Sequence, residues 1–252
     1  MYKIPANTLF LGKNIVFVPE CHSTNTLAAD LSSKTDMAEG SLVITAYQSA
    51  GRGQRGNTWL VEPDMNFTFS LILKPRFLSV KDQFYLNRFV SLGLTDYLRN
   101  YFDEGVKIKW PNDILIRDKK VCGILIENQL SAMQLTQSIV GIGLNMNQKE
   151  FGVTTASSLS LLSGKEFDLQ TELEKLLGAL EARYLQLKQN KLEVLNSVYL
   201  QRLHWINERH TFTASDKTFE GEIIGTDEIG RLQIKSREGI RTFDVKEVSY
   251  LN

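Results

Sequence analysis

Residues 51–56 read GRGQRG, and they follow the β-branched and aromatic run SLVITAYQSA at 41–50. On spacing alone the hexapeptide is G-x-G-x-x-G, the phosphate-carrying loop of dinucleotide-binding folds. Such a loop needs a strand before it, a helix opening within it, and an acidic residue about 20 positions later for the ribose. The strand is present. The helix is not, because Trp59, Pro63 and the alternating run NFTFSLIL at 66–73 occupy its place. A Walker loop fails too, since no Lys-Ser or Lys-Thr follows the last glycine. The reading is therefore strand, glycine loop, strand, with Arg52 and Arg55 inside the loop. Glycines allow backbone N–H groups to approach a ligand and leave an empty loop mobile, while guanidinium forks bind carboxylate or phosphate in pairs of hydrogen bonds. The loop either orders around an anion or is a tight surface turn with two solvated arginines; six residues do not separate these readings.

Working outward, Leu86, Val90, Leu94, Tyr97 and Tyr101 recur at helical spacing within 82–103. VKIKWPNDILI at 106–116 and KVCGILIEN at 120–128 read as two strands joined by a turn around RDKK, with SIVGIGLNMN at 138–147 a third. Asp168 is placed to cap a long amphipathic helix carrying Leu169, Leu173, Leu176, Leu177, Leu180, Tyr184 and Leu187. From Thr211 the pattern changes to the short alternating runs TFTA, FEGEIIGTD, GRLQIKS and RTFDV, a small all-β module. The expected class is α+β: a mixed β-sheet domain with flanking helices over 1–208, then a small β domain over 209–252.

The chain has 252 residues, 42% of them hydrophobic, enough for a sizeable core. Lys+Arg and Asp+Glu both number 29, so no net charge draws it to nucleic acid or an anionic membrane. The start, MYKIPANTLFLGKNIVF, carries no signal- or transit-peptide pattern, and no run approaches the ~20 apolar residues of a span, so the cytoplasm is expected. Cys21, Cys122 and three histidines at 22, 204 and 210 supply neither a disulfide framework nor a zinc set. Cys122 lies in an apolar run without triad spacing, which argues against a thiol nucleophile.

Five motifs in order, STN at 23–25, GRGQRG, KWPND at 109–113, KVCGILIE at 120–127 and GIGLNMN at 141–147, resemble the biotin protein ligase family, the biotin–[acetyl-CoA-carboxylase] ligases. The resemblance implies a mixed-sheet catalytic domain and a C-terminal SH3-like β-barrel. It implies that biotin and ATP, with Mg²⁺ bridging the phosphates, give biotinyl-5'-AMP, and that biotin then passes to one lysine of a biotin carboxyl carrier protein, the biotinyl domain of a carboxylase. Members often form a homodimer through the catalytic sheet. Larger bacterial members carry an N-terminal DNA-binding domain; little chain precedes the STN motif, so the ligase-only form is expected, with no DNA and no membrane among its partners.

Roles follow residue by residue. Joining a carboxylate to an anionic phosphate brings together charges that repel by about 4 kcal/mol at ~4 Å and an effective dielectric near 20. Arg52, Arg55 and Lys120 are the cations expected to offset this. Lys120 matches the family's central lysine, which touches both biotin carboxylate and phosphate, and Gly123 lets backbone lie close to biotin. Ser23, Thr24, Asn25 and Gln48 resemble the ureido-binding set, and Gly51, Arg52, Gly53 and Gln54 are expected over the biotin. Trp59, Asn112 and Asn145 are expected on the nucleotide side, and Asp113 to orient or deprotonate the acceptor amine. Plainer readings stand beside these: Lys120 as a solvated turn lysine, Ser23 or Thr24 as a cap for a helix starting at Asn25, Trp59 as core, Asn145 as a strand-end turn residue. Two positions depart from the family. Gln54 stands where its best-known loop has arginine, and EVSYLN at 247–252 has no basic residue for ATP. The rivals are a lipoate or octanoate ligase or transferase of related fold and a non-catalytic ligand-binding regulator.

Overall fold

Seven strands form the main sheet in the computed structural model, which describes residues 2–251 and, at Arg55, the backbone alone. Along the chain run β1 (Ile15–Cys21), α1 (Thr24–Lys34), β2 (Ser41–Gln48), β3 (Phe67–Leu73), α2 (Phe84–Leu98), β4 (Val106–Lys109), β5 (Asp113–Ile116), β6 (Lys119–Ser131) and β7 (Gln134–Leu144). The strand order is β1-β2-β3-β7-β6-β5-β4. Only β1 and β2 are parallel, and α1 makes the crossover between them that parallel neighbours require.

Side chains alternate between the two faces of a sheet, so register decides which residues meet. One row runs Phe67, Leu144, Cys122, Ile114, Ile108, every member buried. It lies in the main core beneath α2, onto which α4 (Leu169–Lys188) and α5 (Leu192–Arg202) pack. The next row, on the opposite face, runs Thr68, Gly143, Gly123, Asp113, Lys109. On that face α1 covers Val43, Ile72 and Ile139 through Ala28, and Ser70 and Gly141 through Thr24 and Asn25. Beyond the start of α1 the sheet carries small and charged residues instead of a packed helix.

Asp168 caps α4 as its position predicts, its Oδ1 accepting from Thr171 N at 2.9 Å. The stretch 106–116 differs from the one strand expected. It is two strands, β4 and β5, paired as a hairpin; the turn expected of Pro111 is there, with Asn112 in it and Asp113 opening β5, and the Trp110–Pro111 bond is cis. Strand β1 and helix α5 carry no clear sequence signal: β1 is an edge strand with Pro19 inside it, which only an edge tolerates.

After a short α3 (Leu159–Ser163), α4 and α5, the chain forms β8 (Arg209–Ala214), β9 (Lys217–Thr226), β10 (Leu232–Ser236), β11 (Gly239–Phe243) and β12 (Ser249–Leu251). These make a five-stranded sheet in the order β11-β10-β9-β8-β12, antiparallel throughout. Its Phe212, Ile223, Leu232 and Ile234 belong to the same hydrophobic cluster as the main core. Two polar ties reinforce the junction. Trp110 Nε1 donates to Gly230 O at 2.8 Å, and the Arg88 guanidinium, over the Tyr85 ring, donates to Thr226 Oγ1 at 3.0 Å. No described helix is long and apolar enough to cross a membrane.

Candidate active site

A cavity of about 570 Å³ opens over the row of small and charged residues, a size that accommodates a small-molecule substrate. Its wall brings together every sequence-proposed residue except Gly51, Arg55 and Asn145. Of these, the Arg55 side chain lies outside the described atoms.

The neutral end is built at the start of α1. Ser23 holds the extended N-cap conformation, yet its side chain makes no capping hydrogen bond, so its hydroxyl remains to the cavity. Thr24 donates from its backbone N to Gln48 Oε1 at 2.7 Å and from Oγ1 to the same oxygen at 3.2 Å, which fixes the Gln48 amide and leaves its Nε2 to a ligand. Asn25 also lines the cavity, but its amide is spent within the protein. Its Oδ1 lies 2.6 Å from Ser70 Oγ, and its Nδ2 donates to Leu125 O at 3.2 Å and Glu127 Oε2 at 2.7 Å. Thr24 Oγ1 also accepts from Ser70 Oγ at 2.8 Å, so Asn25 braces α1 against β6, Thr24 holds Gln48 in place, and the hydrogen-bonding groups offered at this end are those of Ser23 and Gln48.

At the charged end, Lys120 Nζ pairs with Asp113 Oδ1 at 2.7 Å, both side chains partly exposed to the cavity. The lysine is held from behind: its backbone N donates to Thr155 O and its carbonyl accepts from Ser157 N. Asn145 supports that same segment, donating from Nδ2 to Ser157 O at 3.0 Å; it is buried and does not line the cavity. Asn112 lines the cavity while its Nδ2 donates to Ile124 O at 2.7 Å, tying the hairpin turn to β6. Cys122, one residue from the glycine floor, points into the core, and burial pushes its thiol well up, which removes it as a nucleophile.

Residues 51–59 form the roof. Gly53 N donates to Asn57 O at 2.7 Å and Trp59 N to Gly51 O at 2.9 Å, so the glycine loop is itself a small hairpin, turning through a single 3-10 turn at Gln54–Gly56. A side chain at Gly51 would meet Trp59 O at 2.2 Å. Arg52 Nη2 pairs with Glu127 Oε2 at 2.8 Å, the oxygen that Asn25 also uses, so the arginine is fastened near the neutral end and not beside Lys120. Trp59 is cavity wall and not core. Its indole lies directly on the glycine floor, where a Cβ on Gly143 would be 2.3 Å from its Cε2 and one on Gly123 3.1 Å from its Cζ3. The indole Nε1 is buried with no hydrogen-bond partner, the mark of a donor that a ligand completes.

Three contributors were not anticipated. Gly143 shares the floor with Gly123, Lys109 stands beside Asp113, and the segment from Val245 to Tyr250 closes the charged end. Among the described residues no group of three or more His, Cys, Asp or Glu is arranged to hold a metal ion. Asp113 and Asn112 are the oxygen donors near Lys120, a sparse set that suits a Mg²⁺ arriving on phosphate and not one caged by protein.

Comparison with known proteins agrees with this geometry. Residues 18–145 match the model of the biotin/lipoate A/B protein ligase family. The bifunctional ligase/repressor BirA of Bacillus subtilis is 28% identical over 239 residues, covering 93% of this chain and 73% of that protein. The biotin–[acetyl-CoA-carboxylase] ligase of Paracoccus denitrificans is 28% identical over 236 residues, covering 90% of this chain and 97% of its own. Among solved structures, the biotin protein ligase of Aquifex aeolicus in complex with biotin and ATP superposes with a TM-score of 0.77 at 26% identity, covering 94% of this chain and 98% of that one. The chain belongs to the biotin/lipoate A/B protein ligase family.

Proposed function

We propose that the cavity joins biotin to AMP and then passes biotin to a lysine of a carrier protein. The carrying observation is the division of one cavity into a neutral hydrogen-bonding end at Ser23 and Gln48, the latter held by Thr24, and a charged end at Lys120 and Asp113, with Trp59 over a glycine floor between them. A biotin ureido ring, neutral and rich in donors and acceptors, suits the first end, and its valerate chain runs past the Trp59 ring toward the second. There the carboxylate oxygen attacks the α-phosphorus of ATP, the bond from that phosphorus to the bridging oxygen breaks, and pyrophosphate leaves. Lys120 lowers the repulsion between the two anions. In the second step the acceptor amine attacks the carbonyl carbon of the mixed anhydride and AMP departs. That amine, whose reference pKa near 10.4 keeps it charged at neutral pH, must give up one proton before it attacks and a second as the amide forms; on this reading Asp113 orients it and takes the first, and the second passes to the departing AMP phosphate or to water.

Mg²⁺ enters this reading bound to the nucleotide, where it neutralises phosphate charge. The acceptor on this reading is the biotinyl domain of a carboxylase, acetyl-CoA carboxylase being the one in the name of the Paracoccus relative. A cytoplasmic setting and a homodimer joined through the catalytic sheet belong to the same proposal. The family also covers lipoate ligases, but a dithiolane ring has no N–H or carbonyl to meet Ser23 and Gln48. The test is isotope exchange between pyrophosphate and ATP with Mg²⁺ and either biotin or lipoate. Exchange with biotin alone is expected; exchange with lipoate alone, or with neither, overturns the assignment.

A further inference from the structure

Lys109 ends β4 directly across from Asp113 and lines the charged end of the cavity. It is half-buried, yet among the described residues its ammonium has no ion pair or hydrogen bond; the contact described for it is the face of the Tyr250 ring, 4.8 Å from Nζ to the centroid. Asp113 has already given its Oδ1 to Lys120 at 2.7 Å. Two ammonium groups therefore flank one carboxylate, leaving one positive charge unmatched in a partly desolvated place, an arrangement that is disfavoured until an anion arrives. Burial, the largest influence, pushes the Lys109 pKa down; Asp113 pulls it up and Lys120 presses it down again.

Position selects the anion. Lys109 lies in the row Gly143, Gly123, Asp113, Lys109, two strands out from Gly123, a lateral distance of about 10 Å at normal strand spacing. On the proposed reading, the carboxylate and α-phosphate meet at Lys120, beside Gly123. The next groups outward along that row are the β- and γ-phosphates. The acceptor amine is itself a cation before reaction and has no reason to seek a second ammonium. The biotin carboxylate is held back by its ring at the far end of the cavity.

We propose that Lys109 binds the β- and γ-phosphate oxygens of the nucleotide and so stabilises pyrophosphate as it leaves, while Lys120 serves the α-phosphate. Lys109 stays protonated throughout; the electron pair of the broken bond goes to pyrophosphate, and the ammonium supplies hydrogen bonds to it. This places on β4 a cation for the triphosphate in a chain whose loop has Gln54 where arginine is usual, in a cavity whose wall also carries Lys246 from the C-terminal segment. The inference rests on the function proposed above, and its test keeps the two apart.

The variant is Lys109→Gln in the full chain, with Lys109→Arg beside it. Biotin affinity is measured by calorimetry without nucleotide, the KM values for MgATP and pyrophosphate by isotope exchange, and the second step by single-turnover transfer from pre-formed biotinyl-5'-AMP to a carrier domain. For Gln, both KM values should rise about tenfold or more, the loss of one charge-assisted hydrogen-bonding group, with biotin affinity and transfer within twofold of wild type. Arg should recover most of the loss. An unchanged pyrophosphate KM overturns the proposal, as does a defect in transfer or in biotin binding in place of the nucleotide defect. Failure of the wild-type chain to exchange pyrophosphate with biotin would refute the functional reading instead.

Discussion

Gly143→Ala tests the glycine floor with a single methyl group. The added Cβ would lie 2.3 Å from Trp59 Cε2, 2.4 Å from Nε1 and 2.7 Å from Cζ2, against 3.4 Å or more in ordinary contact, so the indole must retreat by about 1 Å. Trp59 rides on the 51–59 hairpin, whose internal bonds are few, so the ring can move without disturbing the core. The cost should therefore appear in closing the roof over substrate more than in folding. Overpacking of this kind costs about 1–3 kcal/mol, which in a binding equilibrium is a factor of roughly 5 to 150. Calorimetric titration with biotin should show at least a fivefold weaker Kd and a thermal midpoint close to wild type. Because the collision is with Trp59, the penalty should shrink in a Trp59→Ala background, giving a double-mutant coupling well above the additivity error of about 0.5 kcal/mol. A Kd unchanged from wild type, or a penalty of the same size whether or not Trp59 is present, would refute the reasoning.

Lys120→Ala leaves Asp113 without its partner and removes the cation at the α-phosphate; adenylate formation should fall by about 10²–10³, read as biotin-dependent pyrophosphate release, and a near-normal rate would exclude the lysine from the chemistry. Asp113→Asn should slow transfer from pre-formed adenylate more than adenylation, and loss of adenylation with intact transfer would contradict the amine-orienting role. His204, stacked on Trp205 at 4.8 Å, has its pKa held below the ordinary 6.5, chiefly by burial, with Asp118 raising it and Lys109 lowering it. The unfolded chain thus takes up this proton first as pH drops, so its contribution is full above about 6.5 and is lost as pH falls toward the folded value. Denaturant midpoints between pH 7.5 and 5 should decline in wild type and decline less in His204→Phe; equal slopes would refute the assignment.

Local chemistry made much of this readable beforehand. The strands at 41–48 and 67–73 and the capped helix from Asp168 carry their pattern within a few residues, and the motif order points to the cavity because its walls come from strand ends and turns. Pairings between strands were hidden. That Lys109, Asp113, Gly123 and Gly143 share one row depends on the register of four strands, which no short window contains, although the turn at Pro111 is legible in KWPND. Asn25 shows the same limit in side chains: its place in STN suggests a ligand, but a partner 102 positions away, Glu127, takes its amide. Asn145 likewise gives its Nδ2 to Ser157, while its buried Oδ1 has no hydrogen-bond partner. The ending EVSYLN was judged by its lack of basic residues, whereas Tyr250 contributes an aromatic face.

The bond from Trp110 Nε1 to Gly230 O joins the residue just before the Asn112–Asp113 turn to the C-terminal sheet. That sheet also sends Tyr250 back over Lys109. A chain shortened before Arg209 would therefore keep its biotin end largely furnished, yet lose both the anchor that sets the turn and the ring that screens the ammonium. Such a fragment should hold the vitamin better than it burns nucleotide, so the tail behaves less as an appendage than as the back wall of the reaction chamber.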